Sequence, residues 1–298
     1  MEAIRRVGIL GCGTMGAGIA QVVATAGYTT LVREPEEGLL QKGRERIEKG
    51  LERAVEKGKL DASKKDQARQ RLSGVTSLEE MKDCQLIIEA LPEDLGLKKE
   101  HLRRLDSLCP ASTLFASNTS SLVITELGAC TSRPEKVIGL HFFNPAPVMD
   151  LVEIVKTPFT SRETLQIVQG FVASLAKTSI LAPDRSGFVV NRLLIPYLLD
   201  AISAVESSLA SAEDIDKGMH LGCGHPMGPL ALSDFIGLDV LLHISEVMFD
   251  EYRERRFAPP PLLRRMVLAG WLGKKTGRGF YDYRGPEPRA VSLGWGEA

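Results

Sequence analysis

A histidine and a glutamate, His141 and Glu153, stand six residues to either side of Pro147. Residues 144–148 between them have the composition of a tight turn, so the flanking apolar runs can pair as antiparallel strands. The two side chains would then face each other with Cβ atoms about 5 Å apart. A carboxylate in that position accepts the imidazole N–H, fixes the tautomer and stabilises the imidazolium. The pattern predicts a general base and its orienting partner.

The other four histidines are weaker candidates for a catalytic residue. His101 lies in a charged helical stretch and is expected at the surface, whereas His243 lies in an apolar helical stretch and is expected to be structural. His220 and His225 flank Cys223, so a metal site is conceivable there, but carboxylate support is poor and we predict no metal.

A glycine-rich turn joins the apolar run at residues 7–10 to a helical stretch. Its sequence is Gly11-Cys12-Gly13-Thr14-Met15-Gly16. The first glycine permits the tight turn, the second lets the backbone approach a pyrophosphate, and the third allows close helix–strand packing. The N–H groups that open the helix, at Thr14, Met15 and beyond, then point with the positive end of the helix dipole at phosphates. The turn predicts a dinucleotide site.

Glu34 follows the next β-branched run, eighteen residues after Gly16. A carboxylate at this place accepts hydrogen bonds from ribose hydroxyls and repels a 2′-phosphate, which predicts NAD rather than NADP. The neighbouring Arg33 could weaken that preference, and the sequence leaves the point open.

Predicted strands and helices alternate in the first half of the chain, which indicates a parallel sheet with right-handed crossovers. The strands are at 7–10, 29–32, 86–90, 114–116 and 137–140, and the helices at 19–26, 36–58, 97–108 and 122–127. Beyond 183–187 the pattern is almost wholly helical, at 188–208, 212–221, 229–252 and 261–269. We therefore expect an α/β domain at 1–184 and an all-α domain at 185–298, with a disordered tail from about residue 285.

The charge balance excludes some partners. The 298 residues carry 37 basic and 38 acidic side chains, a formal net charge of −1, which gives no field for steering nucleic acid. No apolar run approaches the ~18–20 residues that span a bilayer, and the short polar start leaves no room for a signal peptide. We expect a cytoplasmic protein with five free cysteines that binds neither nucleic acid nor membrane.

Five longer strings follow one another along the chain. They are SNTSS at 117–121, HFFNP at 141–145, PVMDLVEIV at 147–155, GFVVNR at 187–192, and GKKTG at 273–277 followed by GFY at 279–281. Together these strings resemble the 3-hydroxyacyl-CoA dehydrogenases, over nearly the whole chain from Val7 to about Tyr283. The resemblance implies an α/β Rossmann-type N-terminal domain that binds NAD. It also implies an all-α C-terminal domain that binds substrate and forms a homodimer.

The resemblance also assigns roles to residues. His141 matches the general base and Glu153 its partner, while Ser120 and Asn191 match catalytic positions that hold the hydroxyl and carbonyl oxygens of the substrate. Lys57 matches a contact to CoA. Four further residues match NAD-binding positions: Glu93, Lys98, Asn144 and Lys275. Gly50 stands where some relatives carry serine, which leaves the CoA contacts open.

The implied activity is reversible oxidation of an (S)-3-hydroxyacyl-CoA to the 3-oxoacyl-CoA, with NAD accepting the hydride. One alternative is a related dehydrogenase of a free hydroxy acid, such as a sugar acid; the HFFNP string and Glu153 oppose it. A second is an NAD-binding protein without catalysis, which the presence of all four candidate catalytic residues opposes. A third is a fragment of a multifunctional fatty-acid oxidation protein. Because no length is left for a hydratase domain, we expect the chain to act alone.

Overall fold

The chain forms two compact units, Met1–Phe188 and Val189–Ala298, in a computed structural model that describes residues 4–291. All five cysteines are free thiols, as predicted. In the described part of the chain, no helix combines the length and the apolar character that crossing a membrane requires.

The first unit is built around an eight-stranded sheet. Its strands are β1 (Arg6–Leu10), β2 (Thr29–Arg33), β3 (Leu72–Val75), β4 (Leu86–Glu89), β5 (Leu114–Ser117), β6 (Val137–Phe142), β7 (Leu151–Lys156) and β8 (Thr178–Pro183). The spatial order is β3-β2-β1-β4-β5-β6-β7-β8. Strands β1 to β6 are parallel, β7 runs antiparallel to β6, and β8 runs parallel to β7. Helices occupy the connections: α1 (Thr14–Thr25), α2 (Glu37–Glu56), α3 (Ala62–Arg71), α4 (Leu95–Leu108), α5 (Ile124–Gly128) and α6 (Arg162–Ser174).

The central strands are buried along nearly their whole length because both faces of the sheet are covered. All four residues of β4 and of β5 are buried, and β1 is buried from Val7 onward. The helix predicted at 36–58 is present as α2, and it buries Leu40, Ile47 and Leu51 at helical spacing. Parallel strands end at one edge of the sheet, so the segments that follow β1, β2, β4 and β5 and the end of β6 gather there. That edge carries the candidate site.

The second unit is helical, as predicted. Its helices are α7 (Val190–Glu206), α8 (Ala212–Cys223), α9 (Pro229–Ile236), α10 (Leu238–Tyr252) and α11 (Pro261–Leu268), and a small antiparallel pair joins β9 (Tyr281–Asp282) to β10 (Arg289–Ala290). The single helix predicted at 229–252 is wrong. Gly237 has φ 103°, a left-handed backbone that breaks the helix into α9 and α10.

The start of α7 and the tail also differ from prediction. The helix begins at Val190 rather than at residue 188, because Gly187 and Phe188 have positive φ angles of 78° and 45°. The disorder expected from residue 285 is contradicted where Arg289–Ala290 pairs with β9. The final part of that prediction, at residues 292–298, lies outside the described residues.

Candidate active site

The predicted pairing of His141 with Glu153 is confirmed. The two residues are direct partners in the β6–β7 ladder, and Nδ1 of His141 lies 2.7 Å from Oε2 of Glu153. Glu153 is fully buried and His141 is 6% exposed. The imidazole packs against the rings of Phe143 and Phe188, with centroid distances of 4.6 and 5.6 Å. The pair is therefore shielded from water.

This geometry selects one imidazole tautomer. An ionised carboxylate can only accept, so Nδ1 of His141 carries the imidazole proton and donates a hydrogen bond to Glu153. Within the described part of the first unit, Nε2 of His141 makes no hydrogen bond. Its lone pair is available to take a proton from a substrate hydroxyl.

The segment after β5 is tied to the segment after β4 by Glu93. One carboxylate oxygen of Glu93 accepts from the hydroxyl of Thr119, from the Ser120 N–H at 3.2 Å and from the Ser121 hydroxyl at 3.0 Å. Burial alone would raise the pKa of Glu93, but the ammonium of Lys98 and these hydroxyls hold it below its ordinary value. Glu93 thus stays ionised and fixes the backbone of Ser120.

Asn118 makes a second tie at the same edge. Its Oδ1 accepts the N–H of Phe142 at 2.9 Å, so the loop that carries Ser120 is bound to the residue next to His141. Asn118 lies in the SNTSS string, but no role was predicted for it from the sequence. The signal was a side-chain amide directly after a buried strand.

Lys98 lies in a buried cluster of charges. Its side chain is 1% exposed, and Nζ lies 2.7 Å from Glu89, 3.2 Å from Glu93 and 3.3 Å from the Leu91 carbonyl. Glu89 is fully buried and also accepts from the Ser117 hydroxyl at 2.5 Å. Two carboxylates therefore face one ammonium. Sequence reasoning missed Glu89, although a carboxylate that ends an apolar strand is a recognisable signal.

The glycine-rich turn fits a pyrophosphate. Gly13 is the N-cap of α1, no side chain caps this end, and the first turn has no acidic residue. A Cβ on Gly13 would meet no atom within 4 Å, whereas a Cβ on Gly16 would lie 2.0 Å from the Gly11 carbonyl oxygen. Glu34 accepts the Cys12 N–H at 2.5 Å, which places its carboxylate beside the turn. Free N–H groups, an open cradle and a carboxylate together suit a dinucleotide.

Two alanine substitutions should separate folding from binding at this turn. Gly16→Ala forces a methyl group into backbone, so we expect the free energy of unfolding to fall by about 1–3 kcal/mol. Gly13→Ala adds its methyl to open space and should leave thermal unfolding unchanged. It should nevertheless raise the Kd for NADH roughly tenfold or more, because the pyrophosphate loses charge-assisted contacts to the backbone. An unchanged Kd in Gly13→Ala would place the cofactor elsewhere.

The remaining predicted contacts are less constrained. Asn144 is exposed after β6, and Lys57 is exposed at the C-terminal end of α2. Asn191 and Lys275 belong to the second unit, where Nζ of Lys275 lies 2.5 Å from Asp239. The roles of these four residues in binding cofactor or substrate remain predictions.

The departure at position 50 has a local explanation. A Cβ on Gly50 would lie 2.2 Å from Oε1 of the buried Gln21, so a larger residue would displace that amide.

Two expectations about histidines are wrong. His101 is buried, 9% exposed, whereas His243 is exposed. Nδ1 of His220 contacts the His225 carbonyl at 2.6 Å, and His225 pairs with the Tyr197 hydroxyl. No cluster of three or more potential metal ligands occurs among residues 4–291.

Comparison with known proteins identifies the family. The family model described as "3-hydroxyacyl-CoA dehydrogenase, NAD binding domain" matches residues 6–185, and the model of the C-terminal domain of the same family matches residues 187–283. The chain belongs to the 3-hydroxyacyl-CoA dehydrogenase family. This membership confirms the predicted fold class, the NAD cofactor and the class of enzyme, an NAD-dependent 3-hydroxyacyl-CoA dehydrogenase.

Individual relatives are similar to this chain over nearly their whole length. The chain is 50% identical over 284 residues to the 3-hydroxybutyryl-CoA dehydrogenase of Mycobacterium tuberculosis, covering 95% of this chain and 99% of that protein. The crystal structure of FadB2 from Mycobacterium tuberculosis matches with a TM-score of 0.93 at 50% identity, covering 95% of this chain and 100% of that one. The structure of (S)-3-hydroxybutyryl-CoA dehydrogenase from Ralstonia eutropha matches with a TM-score of 0.91 at 44% identity and the same coverage.

Proposed function

We propose that this family member oxidises (S)-3-hydroxybutyryl-CoA and related short 3-hydroxyacyl-CoA thioesters reversibly to the 3-oxoacyl-CoA, with NAD as hydride acceptor. The observation that carries the proposal is the shielded His141–Glu153 pair at the sheet edge that also bears the glycine-rich turn. The names of the similar proteins support the short acyl chain.

In the forward direction, Nε2 of His141 takes the proton of the substrate hydroxyl as the C–H bond of the carbon that bears this hydroxyl breaks. NAD, when bound, supplies the hydride acceptor. Glu153 keeps the imidazole in the tautomer that presents Nε2 and stabilises the imidazolium that forms. In reverse, the imidazolium returns the proton to the oxygen of the 3-oxo group.

Ser120 and Asn191 are proposed to hold the reacting oxygen and the thioester carbonyl by neutral hydrogen bonds. The rigid backbone of Ser120, fixed by Glu93, supports this role. The other assignments are proposed on the resemblance. These are NAD binding by the domain at 1–184 with Glu93, Lys98 and Asn144, an NAD contact from Lys275 in the domain at 185–298, CoA binding by Lys57, and dimerisation and substrate binding by the domain at 185–298. The cytoplasmic location stays a prediction.

Substrate choice tests the proposal. Purified protein and NAD are mixed with 3-hydroxybutyryl-CoA, with longer 3-hydroxyacyl-CoA thioesters and with free 3-hydroxybutyrate, and NADH absorbance is followed. We expect turnover with the thioesters, highest for the four-carbon acyl group, and none with the free acid. Turnover with the free acid alone would replace the proposal by the hydroxy-acid alternative. NADH binding without turnover on any thioester would favour the non-catalytic one.

A further inference from the structure

Arg33, the residue that precedes Glu34, does not extend into solvent. Its side chain is 8% exposed; Nε donates to the Thr76 carbonyl at 3.0 Å, and a terminal nitrogen lies 3.3 Å from Nε2 of His101. Burial lowers the pKa of the Arg33 guanidinium, an effect that the Glu34 and Glu79 carboxylates oppose. The last residue of β2 is thus a cation held inside the protein, next to the carboxylate proposed to meet the cofactor ribose.

The tautomer of His101 follows from its second contact. Nδ1 lies 2.9 Å from the carbonyl oxygen of Leu97, one turn earlier in α4. A carbonyl accepts only, so Nδ1 carries the proton and Nε2 presents a lone pair. Arg33 has only donors, and His101 is therefore the acceptor in their contact. Because His101 is itself buried on the inner face of α4, this acceptor has a fixed position.

We infer that His101 is a positioning residue for the choice of cofactor. NADP differs from NAD by a phosphate on the ribose, and a guanidinium is the side chain best suited to bind it. Arg33 is adjacent in sequence to the ribose carboxylate, but His101 and Thr76 hold its guanidinium in the interior. Arg33 is then unable to offset the charge of Glu34 at the 2′ position, and this favours NAD over NADP. The inference rests on the proposed binding of NAD at Glu34.

A second cation lies near the turn and must be separated from Arg33. Arg46 is exposed on α2 and donates to the Cys12 carbonyl at 3.4 Å. It is free of the His101 contact, so any phosphate binding by Arg46 is already possible in the native protein. Only an effect that depends on both His101 and Arg33 supports the inference.

The experiment is a mutant cycle read out by binding of NADH and NADPH, followed through the fluorescence of the reduced nicotinamide. Glu34→Gln removes the repulsion of a 2′-phosphate and should improve NADPH binding modestly. His101→Leu removes the acceptor of one terminal nitrogen of Arg33, and this favours release of the guanidinium towards solvent. The double variant combines Glu34→Gln with His101→Leu. If the two changes in binding free energy simply add, they predict a certain NADPH-to-NADH affinity ratio. We expect the measured ratio to exceed that value by about tenfold.

Two further variants serve as controls. His101→Gln retains a side-chain oxygen that can accept from Arg33, so its affinity ratio should stay close to native. Arg33→Met in the double-variant background should abolish the extra NADPH affinity. Additive single effects, or a gain that survives Arg33→Met, would overturn the inference. If His101→Leu does not fold, His101→Met removes the same acceptor.

Cofactor binding also separates this inference from the proposed function. A native protein that binds NADH but turns over no 3-hydroxyacyl-CoA would refute the proposed reaction and leave the affinity ratios interpretable. A native protein with full thioester turnover but additive affinity effects would refute only the role of His101.

Discussion

His141→Gln should lower kcat for 3-hydroxybutyryl-CoA by about 10²–10⁴-fold while the protein stays folded. The glutamine amide can donate to Glu153, so the fully buried carboxylate keeps a hydrogen-bond partner. The amide cannot take a proton near neutral pH, so the hydroxyl loses its base. Steady-state kinetics with NAD and thermal unfolding, measured on the same preparation, check both parts.

The matched control is His243→Gln, because His243 is exposed on α10 in the second unit. The same chemical change there should leave kcat within about twofold of native, as surface substitutions commonly do. Near-native kcat in folded His141→Gln would remove His141 from the role of base.

The His141–Glu153 contact was predictable because β-structure converts sequence spacing into geometry. Equal distances from Pro147 place the two residues opposite each other in a hairpin, and the ladder has that register. The alternation of strands and helices likewise predicts the parallel sheet and the edge that carries the site.

Two of the elements that were not predicted from the sequence, α3 and β8, have weak periodic signals. In α3 only Ala68 is buried, because the rest of the helix is polar and lies at the surface. Strand β8, at the outer edge of the sheet, is mostly half-buried or exposed. Its sequence therefore lacks the continuous apolar run of a central strand.

The exposure of His101 and His243 was predicted wrongly because it was inferred from the composition of the neighbouring sequence. Helical spacing is a better guide to which face of a helix a residue occupies. His101 lies among charged neighbours in sequence, yet it shares a buried stripe with Lys98, Leu102 and Leu105 at helical intervals. His243 lies among apolar neighbours, but the buried face of α10 runs through Leu241 and Ile244 and leaves it outside. Sequence spacing could have placed both residues on the correct face. It could not have revealed that the partner of His101 is Arg33.

The contacts of Glu93 with the segment after β5 could not be predicted from the sequence, for a different reason. Glu93 binds hydroxyls and an N–H from 26 to 28 residues further along the chain, across two neighbouring strands. Which loop a carboxylate reaches depends on the strand order. The alternating pattern implies a sheet but does not give that order.

Glu153→Gln should lower kcat by about 10²–10⁴-fold in the native background, and it should change little further in the His141→Gln background. The glutamine oxygen can still accept from Nδ1 of His141 at nearly the same place, so the main loss is the negative charge that stabilises the imidazolium. If Glu153 acts only through His141, the two losses are strongly non-additive, as for residues that work as one unit. The double variant should have a kcat within about threefold of His141→Gln alone.

Thermal unfolding separates this catalytic coupling from a structural effect. Glutamine has nearly the shape of glutamate, so Glu153→Gln opens no cavity in the β6–β7 ladder, and the double variant should unfold near the temperature of His141→Gln. A further tenfold fall in kcat in a folded double variant would show that Glu153 acts on the substrate by a route that does not pass through the imidazole. An additive result would therefore reject the orienting role while leaving His141 as the base.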